Sequence, residues 1–226
     1  DLQPQDVAAR GNFCTVDGNG IVTDRRAGRI STEKNKELCE KLREIELHEV
    51  EVFIEPVKEH RFLLVLRGED LNGEIEDTDP QEIGKPPLAA QPTSDKGRKM
   101  AHLVDEFSAK AGEILRDDHP ANMVVLRGFA KRPGWPTMEE AFGIRSAAVA
   151  GYPMYRGLAK LLGMDELETG NTVEDEIKTL GNSWYDYDFF YVHVKGTDSA
   201  GEDGDFDRKV SVIEDVDKNI PKLMDL

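Results

Sequence analysis

The sequence has few cysteines, and it lacks any long apolar run. Only two of its 226 residues are cysteine, Cys14 and Cys39, which is too few for a disulfide framework and indicates free thiols in a reducing cytoplasm. No apolar stretch approaches the roughly 20 residues that a membrane-spanning helix needs. The first residues also lack the charged and apolar regions of a signal peptide. These absences predict a cytoplasmic protein that is not embedded in a membrane.

Basic residues are scarce relative to acidic ones. The chain has 29 lysines and arginines against 45 aspartates and glutamates, which gives a formal net charge of −16. Such a surface repels the phosphate backbone, so nucleic-acid binding is disfavoured. P-loop, GxGxxG and GxSxG motifs are also absent from the sequence, which removes the common nucleotide-binding and hydrolase fingerprints. The function must therefore be sought in local clusters of residues.

The first half of the chain predicts a split βαβ sheet. The turn "DGNG" between two short β-branched runs is a hairpin signal, because Asp and Gly tolerate positive φ angles. Ser31 or Thr32 can cap a first helix, and helical periodicity returns in "RKMAHLVDEFSAKAGEIL", with strand-like runs before and after that second helix. The order hairpin, helix, strand, strand, helix, strand is typical of a ferredoxin-like fold with helices on one face. We place this domain at residues 1–128.

The second half, residues 129–226, predicts part of a parallel α/β sheet. The strand "IRSAAVAG" runs into a helix with Pro153 in its first turn, and "YDFFYVHV" is typical of a buried parallel strand. A closing helix, "DFDRKVSVIEDVDKNI", is expected to turn Val210, Ile213, Val216 and Ile220 inward. Ligands of such sheets bind beyond the carboxyl ends of the strands, where "KGTDSAGED" lies.

The acidic segment after that last strand is a candidate metal site. Asp198 and Glu202 are hard oxygen ligands for Mg²⁺ or Mn²⁺ and are usable by Zn²⁺, and an intervening glycine would let the backbone turn so that both meet one ion. The alternative is a solvated acidic loop. A calcium-binding loop from Asp203 to Glu214 is disfavoured, because Arg208 stands where that loop needs glycine.

Three arginines are clustered between the hairpin and the first helix. Arg25, Arg26 and Arg29 carry planar forks that suit phosphate or carboxylate, and the adjacent helix N-terminus adds donors. The alternative is a salt-bridged turn with Asp17 and Asp24 as partners. Further arginines at strand ends of the same domain can converge on this turn, namely Arg10, Arg61, Arg67 and Arg127.

Several motifs together resemble the archaeal-type, cofactor-independent phosphoglycerate mutases of the alkaline phosphatase superfamily. They are "RGNFCTVDGNGIVTDRRAGRI", "RFLLVLRGEDL", "DTDP", "AGYPMYRGLAKLLGM" and "DFFYVHVKGTDSAGEDGDF", in that order. The resemblance implies a glycolytic isomerase that interconverts 3-phosphoglycerate and 2-phosphoglycerate through a transiently phosphorylated serine. It also implies two divalent metal ions, Mn²⁺, Mg²⁺ or Zn²⁺, and no organic cofactor. Residues 1–128 would be the substrate-clamping cap, and residues 129–226 part of an alkaline-phosphatase-like core.

The resemblance also implies roles for particular residues. Asp198 and Glu202 match the family's metal-binding turn, although many members have histidine at the second position. Asp17 would be the catalytic base that moves a hydroxyl proton. The implied substrate-binding residues are Arg10, Asn12, Arg25, Arg26, Arg29, Asn122 and Arg127.

Three family segments are not found in the sequence. They are an N-terminal "DG" metal segment, the segment of the nucleophilic serine and a later histidine-rich metal segment. We therefore expect a family member cut at both ends, whose isolated chain lacks mutase activity. The alternatives are a phosphatase or small-molecule phosphotransferase of the same superfamily, and a non-enzymatic paralogue that keeps only the anion pocket. The sequence gives no indication of oligomeric state.

Overall fold

The computed structural model describes residues 2–226, which divide into two compact units, one up to Pro133 and one from Gly134 to Leu226. The division falls between Pro133 and Gly134, a few residues beyond the boundary placed at residue 128. The assignment of cap and core roles to these units stays a prediction. In the part of the chain that the structure describes, no helix combines the length and apolar character that crossing a membrane requires.

The first unit is a ferredoxin-like antiparallel sheet with an added short strand. Its elements are β1 (Val7–Val16), β2 (Val22–Asp24), α1 (Thr32–Leu42), β3 (Glu51–Lys58), β4 (Arg61–Arg67), α2 (Arg98–Leu115) and β5 (Met123–Lys131). The main sheet has the order β3-β4-β1-β5, and every neighbouring pair is antiparallel. β2 pairs with the end of β1. The predicted fold class of this half is confirmed.

One face of this sheet forms the hydrophobic core. Alternate side chains of β1 lie on that face, including Val7, Ala9 and Phe13, which are almost fully buried. Gly11 belongs to the same row, and the Phe62 ring occupies the space where a Cβ atom at position 11 would lie. Burying a large apolar side chain such as Phe13 or Phe62 stabilises the fold by about 1.5–3 kcal/mol. The other face of β1 carries Arg10, Asn12 and the buried Cys14.

Both helices of the first unit cover the core face. Ser31 caps α1 by accepting a hydrogen bond from the Lys34 N–H, as predicted, and α1 buries Leu38 and Leu42. α2 buries an apolar stripe that includes Val104 and Phe107. Since both helices lie in one core with β1, the residues on the opposite face of β1 are not covered by a helix.

A long loop between β4 and α2 is fixed to the sheet edge. The Thr78 N–H donates to the Leu126 carbonyl at 2.9 Å, and the Leu126 N–H donates to the Thr78 hydroxyl at 2.8 Å. These bonds attach the "DTDP" segment to β5. They place Asp77 and Asp79 beside the strand.

The second unit contains a parallel sheet, as predicted. Its elements are α3 (Met138–Phe142), β6 (Ser146–Ala150), α4 (Pro153–Leu161), β7 (Asp165–Leu167), α5 (Val173–Asn182), β8 (Phe189–His193), α6 (Gly196–Glu202) and α7 (Phe206–Met224). The strand order is β7-β6-β8, and both pairs are parallel. The three-residue β7 was not predicted, because it is too short to show a periodic pattern. β8 is less buried than expected, since Phe189 is 43% exposed and the rest of the strand is half-buried.

The inward face of α7 was predicted wrongly. Val210, Ile213 and Ile220 are exposed, and only Val216 is half-buried. The residues that the structure buries or half-buries on this helix are Val212, Val216, Asn219 and Leu223. Both sets recur at helical spacing, so periodicity alone could not decide between two adjacent stripes.

Candidate functional site

The arginine turn has a backbone that is held by one carboxylate. Asp24 accepts hydrogen bonds from the Arg26 N–H at 2.8 Å and the Gly28 N–H at 2.7 Å. Residues Ala27–Arg29 form a short 3-10 turn in which all three φ angles are positive. Arg26 and Arg29 are exposed. The turn therefore presents two guanidinium groups to solvent from a fixed backbone.

Arg25 points to a different partner. Its Nε and Nη2 atoms donate to the two carboxylate oxygens of Asp79 at 3.0 and 2.7 Å, and the Asp79 side chain is fully buried. Burial alone would raise the pKa of Asp79, but hydrogen bonds from Arg25 and the Gln81 N–H, with the charge of Arg127, hold it below its usual value. The same hydrogen bond raises the pKa of Arg25. Arg25 and Asp79 therefore form an ion pair at neutral pH, and the charge of Arg25 is balanced by a carboxylate of the same chain.

The helix-free face of the sheet carries further arginines. Arg10 on β1 lies opposite Arg127 on β5, and Asn12 on β1 lies opposite Arg61 on β4. Arg127 approaches Asp77 through Nε at 3.4 Å and Asp79 through Nη1 at 3.7 Å. Burial, and then the charges of Arg127 and Arg61, lower the pKa of Arg10. The sheet thus brings Arg10, Asn12, Arg61 and Arg127 together on one face, and their role in binding substrate stays a prediction.

Two asparagines of the predicted set have different surroundings. Asn122 uses both ends of its amide on β1, because Oδ1 accepts from the Val16 N–H at 2.8 Å and Nδ2 donates to the Val16 carbonyl at 2.9 Å. Asn12 is almost fully buried, and its Oδ1 atom has no hydrogen-bond partner within residues 2–226. The Asn12 Oδ1 acceptor is therefore buried and unused, whereas Asn122 joins two parts of the sheet.

Asp17 lies in the exposed β1–β2 turn. Its Oδ1 atom accepts from the Asn19 N–H at 2.8 Å and the Ile21 N–H at 3.0 Å. These bonds shape the hairpin. The assignment of Asp17 as a catalytic base stays a prediction.

His60 is a buried histidine beside Arg61 in the chain, and it was not singled out from the sequence as a site residue. It is 2% exposed, and its Nδ1 atom has no partner among the described residues. Burial, followed by the charges of Arg61, Arg26 and Arg29, lowers the pKa of His60 to about 4. His60 is therefore neutral at pH 7. It lies within electrostatic reach of both Arg61 and the arginine turn.

The acidic segment of the second unit is a helix rather than the turn we expected. Asp198 and Glu202 lie four residues apart on α6, so helical spacing, not a reversal at Gly201, places them on one side. The ammonium group of Lys195 donates to the Asp198 carboxylate and lowers the pKa of Asp198. Over residues 2–226 no group of three or more His, Cys, Asp or Glu side chains is arranged to hold a metal ion. The pair alone does not amount to a complete metal site.

Aromatic side chains surround the end of β8. The rings of Tyr155 and His193 stack with their centroids 3.5 Å apart, and the Lys195 ammonium lies 5.1 Å from the centroid of the Tyr152 ring. This contact and the ion pair with Asp198 hold Lys195 at the start of α6. Sequence patterns gave no signal for this cluster, because its members come from separate elements.

The arginines of the first unit form a group suited to small anions that carry phosphate or carboxylate. A family model described as "2,3-bisphosphoglycerate-independent phosphoglycerate mutase" matches residues 1–122. The chain belongs to this family.

Relatives and solved structures agree with that assignment. Proteins named "Probable 2,3-bisphosphoglycerate-independent phosphoglycerate mutase" from Aquifex aeolicus and Thermotoga neapolitana are 48% and 50% identical to the whole chain. The chain spans only 58% and 57% of their lengths. The cofactor-independent phosphoglycerate mutase from Thermoplasma acidophilum is 31% identical with a TM-score of 0.67, over 99% of this chain and 62% of that one. A Pyrococcus horikoshii structure, at 21% identity and TM-score 0.73, shares the fold over 100% of this chain and 56% of its own.

Proposed function

We propose that the intact protein interconverts 3-phosphoglycerate and 2-phosphoglycerate, and that residues 1–133 form its substrate-clamping cap. The observation that carries the proposal is the group of arginines on the helix-free sheet face and the adjoining turn, in a chain of this family. A phosphatase needs no clamp on the glycerate, so the arginine group favours a mutase. We further propose a divalent-metal-dependent reaction through a phosphoserine, supported by the resemblance of "TDSAGED" to the family's metal turn.

The residues of this chain would bind the phosphoglycerate and orient it for the reaction. Phosphoryl transfer depends mainly on positioning and on stabilisation of charge. Guanidinium forks of Arg10, Arg127 and Arg26 would hold the carboxylate or phosphate, and Asn12 Oδ1 would accept a hydrogen bond from a hydroxyl. Arg25 would act indirectly, since its fork is bound to Asp79. Divalent ions, when bound, would supply neutralisation of the transferred group. Asp198 and Glu202 do not complete a metal site by themselves.

An assay of the full-length gene product with 3-phosphoglycerate tests this function. We expect 2-phosphoglycerate to form without release of inorganic phosphate, and we expect a chelator to stop the reaction until Mn²⁺ or Mg²⁺ is restored. An enolase-coupled assay and a phosphate assay run in parallel separate the two chemistries. Release of phosphate without 2-phosphoglycerate would identify a phosphatase, and the absence of both products would contradict an enzyme of either kind.

A further inference from the structure

Arg61 shares a sheet face with Arg10 and Arg127. It begins β4 and lies opposite Asn12, which is two residues from Arg10 on β1. Arg61 and Arg10 are therefore diagonal neighbours on one face, about 7–8 Å apart between Cα atoms, and Arg127 lies directly opposite Arg10. The charges of Arg127 and Arg61 both disfavour the cationic form of Arg10. Three guanidinium groups are thus within reach of one small ligand.

Within the described residues Arg10 and Arg61 form no direct ion pair, although the charges of Asp79 and Asp77 partly offset that of Arg10. Arg25 is bound by Asp79, and Arg127 lies near Asp77 and Asp79. Within residues 2–226, no carboxylate lies within ion-pair distance of Arg10 or Arg61. Like charges directly opposite each other on neighbouring strands, as Arg10 and Arg127 are, destabilise a sheet. In a chain with 45 acidic and 29 basic residues, two such arginines side by side are best explained by an external anion.

The backbone of Arg61 is held by α1. Asn35 is fully buried, and its Nδ2 atom donates to the Glu59 carbonyl at 2.6 Å and the Arg61 carbonyl at 2.8 Å. Thr32 Oγ1 accepts from the Glu59 N–H at 3.2 Å. Because α1 follows the arginine turn directly, the same helix positions the turn and the hairpin that carries Arg61. A cation fixed in this way loses less freedom on binding.

Arg61 and the arginine turn both act on one buried histidine. This histidine, His60, experiences the charges of Arg61, Arg26 and Arg29 together. Opposite Arg61, the buried Asn12 Oδ1 atom has no partner among the described residues. Arg61 therefore has Arg10 as a diagonal neighbour on the sheet and one unused acceptor opposite it, and its charge acts on the same histidine as the charges of the arginine turn.

We propose that Arg61 is a substrate-binding residue at the centre of a two-ended anion site, which takes a small molecule with one phosphate, one carboxylate and a hydroxyl. One anionic end lies with Arg10, Arg127 and Arg61, and the other lies toward the arginine turn. Arg61 contributes to both ends and so selects for ligands that carry two anionic groups. The inference rests on the proposed function, because it names a further residue of the same site.

Calorimetric titration of the 226-residue chain tests the role of Arg61 without any need for turnover. The probes are 3-phosphoglycerate, inorganic phosphate and glycerate, and the variants are Arg61→Gln and Arg61→Lys. The matched control is Arg98→Gln, which removes the same charge from an exposed arginine of α2 that is paired with Asp95 at 2.7 Å. We expect both Arg61 variants to weaken 3-phosphoglycerate binding by about tenfold or more, since hydrogen bonds to charged groups are lost. Phosphate and glycerate binding should weaken less, and Arg98→Gln should bind like the wild type.

Melting temperatures of all variants establish that the chains are folded. Equal affinity of Arg61→Gln and the wild type for 3-phosphoglycerate would overturn the proposal, as would equal weakening by Arg98→Gln. A wild-type chain that binds none of the probes would also overturn it. The outcome is separable from the proposed function. If binding depends on Arg61 but the intact protein has no mutase activity, the proposed function is wrong and the anion site stands. If the intact protein is active but binding does not depend on Arg61, the role of Arg61 is wrong and the proposed function stands.

Discussion

Two buried aspartate–arginine pairs in the first unit share one geometry. Asp79 is bound by Nε and Nη2 of Arg25, and Asp6 is bound by Nε and Nη2 of Arg67, and both carboxylates are fully buried. The sequence shows the arginine cluster, and the neighbouring Asp17 and Asp24 are the partners that its local pattern suggests. The actual partner of Arg25 is 54 residues away, and separations of this kind depend on tertiary packing that local patterns do not contain.

Asp79→Asn and Asp6→Asn should destabilise the chain by similar amounts, up to about 3–5 kcal/mol at pH 7, because each leaves an arginine without its buried carboxylate. Both aspartates have a lowered pKa in the folded state. Their contribution is therefore present above the unfolded pKa near 4 and is lost as pH falls through the lower folded value.

Urea unfolding from pH 7 to pH 2.5 measures both effects. The difference between wild type and either variant should shrink below about pH 4. A difference that stayed constant across this range would show that the carboxylate charge is not what stabilises the pair.

At the scale of elements, capping residues were predictable and helix faces were not. Ser31, Thr172 and Pro153 begin helices as their residue types suggest. In α7 the stripe of Val210 and Ile213 has the same period as the half-buried stripe beside it, so only the packed structure distinguishes them. The glycines of "GTDSAGE" suggested a turn, yet α6 accommodates them, because an isolated glycine costs a helix only about 1 kcal/mol.

The α6 carboxylate pair should bind Mn²⁺ weakly, with a dissociation constant well above micromolar. Two carboxylates leave most of a six-ligand shell to water, and Lys195 competes for Asp198. Titration followed by water-proton relaxation measures the affinity, and Asp198→Asn should reduce it further. Asp215→Asn, an exposed aspartate of α7, serves as the control. Submicromolar affinity would mean that ligands beyond this pair take part.

At the scale of the whole molecule, most of the fold was predictable from the order of helices and strands along the chain. The sequence of strands and helices predicted both the antiparallel and the parallel sheet, because connection rules leave few arrangements for such an order. Burial in the second unit was overestimated, since apolar residues of α7 and Phe189 of β8 are exposed. Exposure depends on what packs against an element, which its own sequence does not specify.

The isolated chain should bind 3-phosphoglycerate without converting it. The first unit supplies the arginine group, whereas within residues 2–226 only a pair of carboxylates marks the candidate metal position. An enolase-coupled assay of purified chain, with Mn²⁺ present and host mutase removed, measures turnover. Conversion that persists through repurification would contradict this expectation.

The amide of Asn35 is held at both ends, since its Oδ1 atom accepts from the Cys39 thiol at 3.2 Å while Nδ2 supports the Arg61 hairpin. The uncharged, buried side chain of Asn35 thereby fixes the backbone position of Arg61. Dissolved salt screens the attraction between arginines and a ligand, but it does not reach a neutral hydrogen bond that is shielded from water. Ionic strength should consequently change how tightly this surface holds an anion while leaving the arrangement of the charges unchanged.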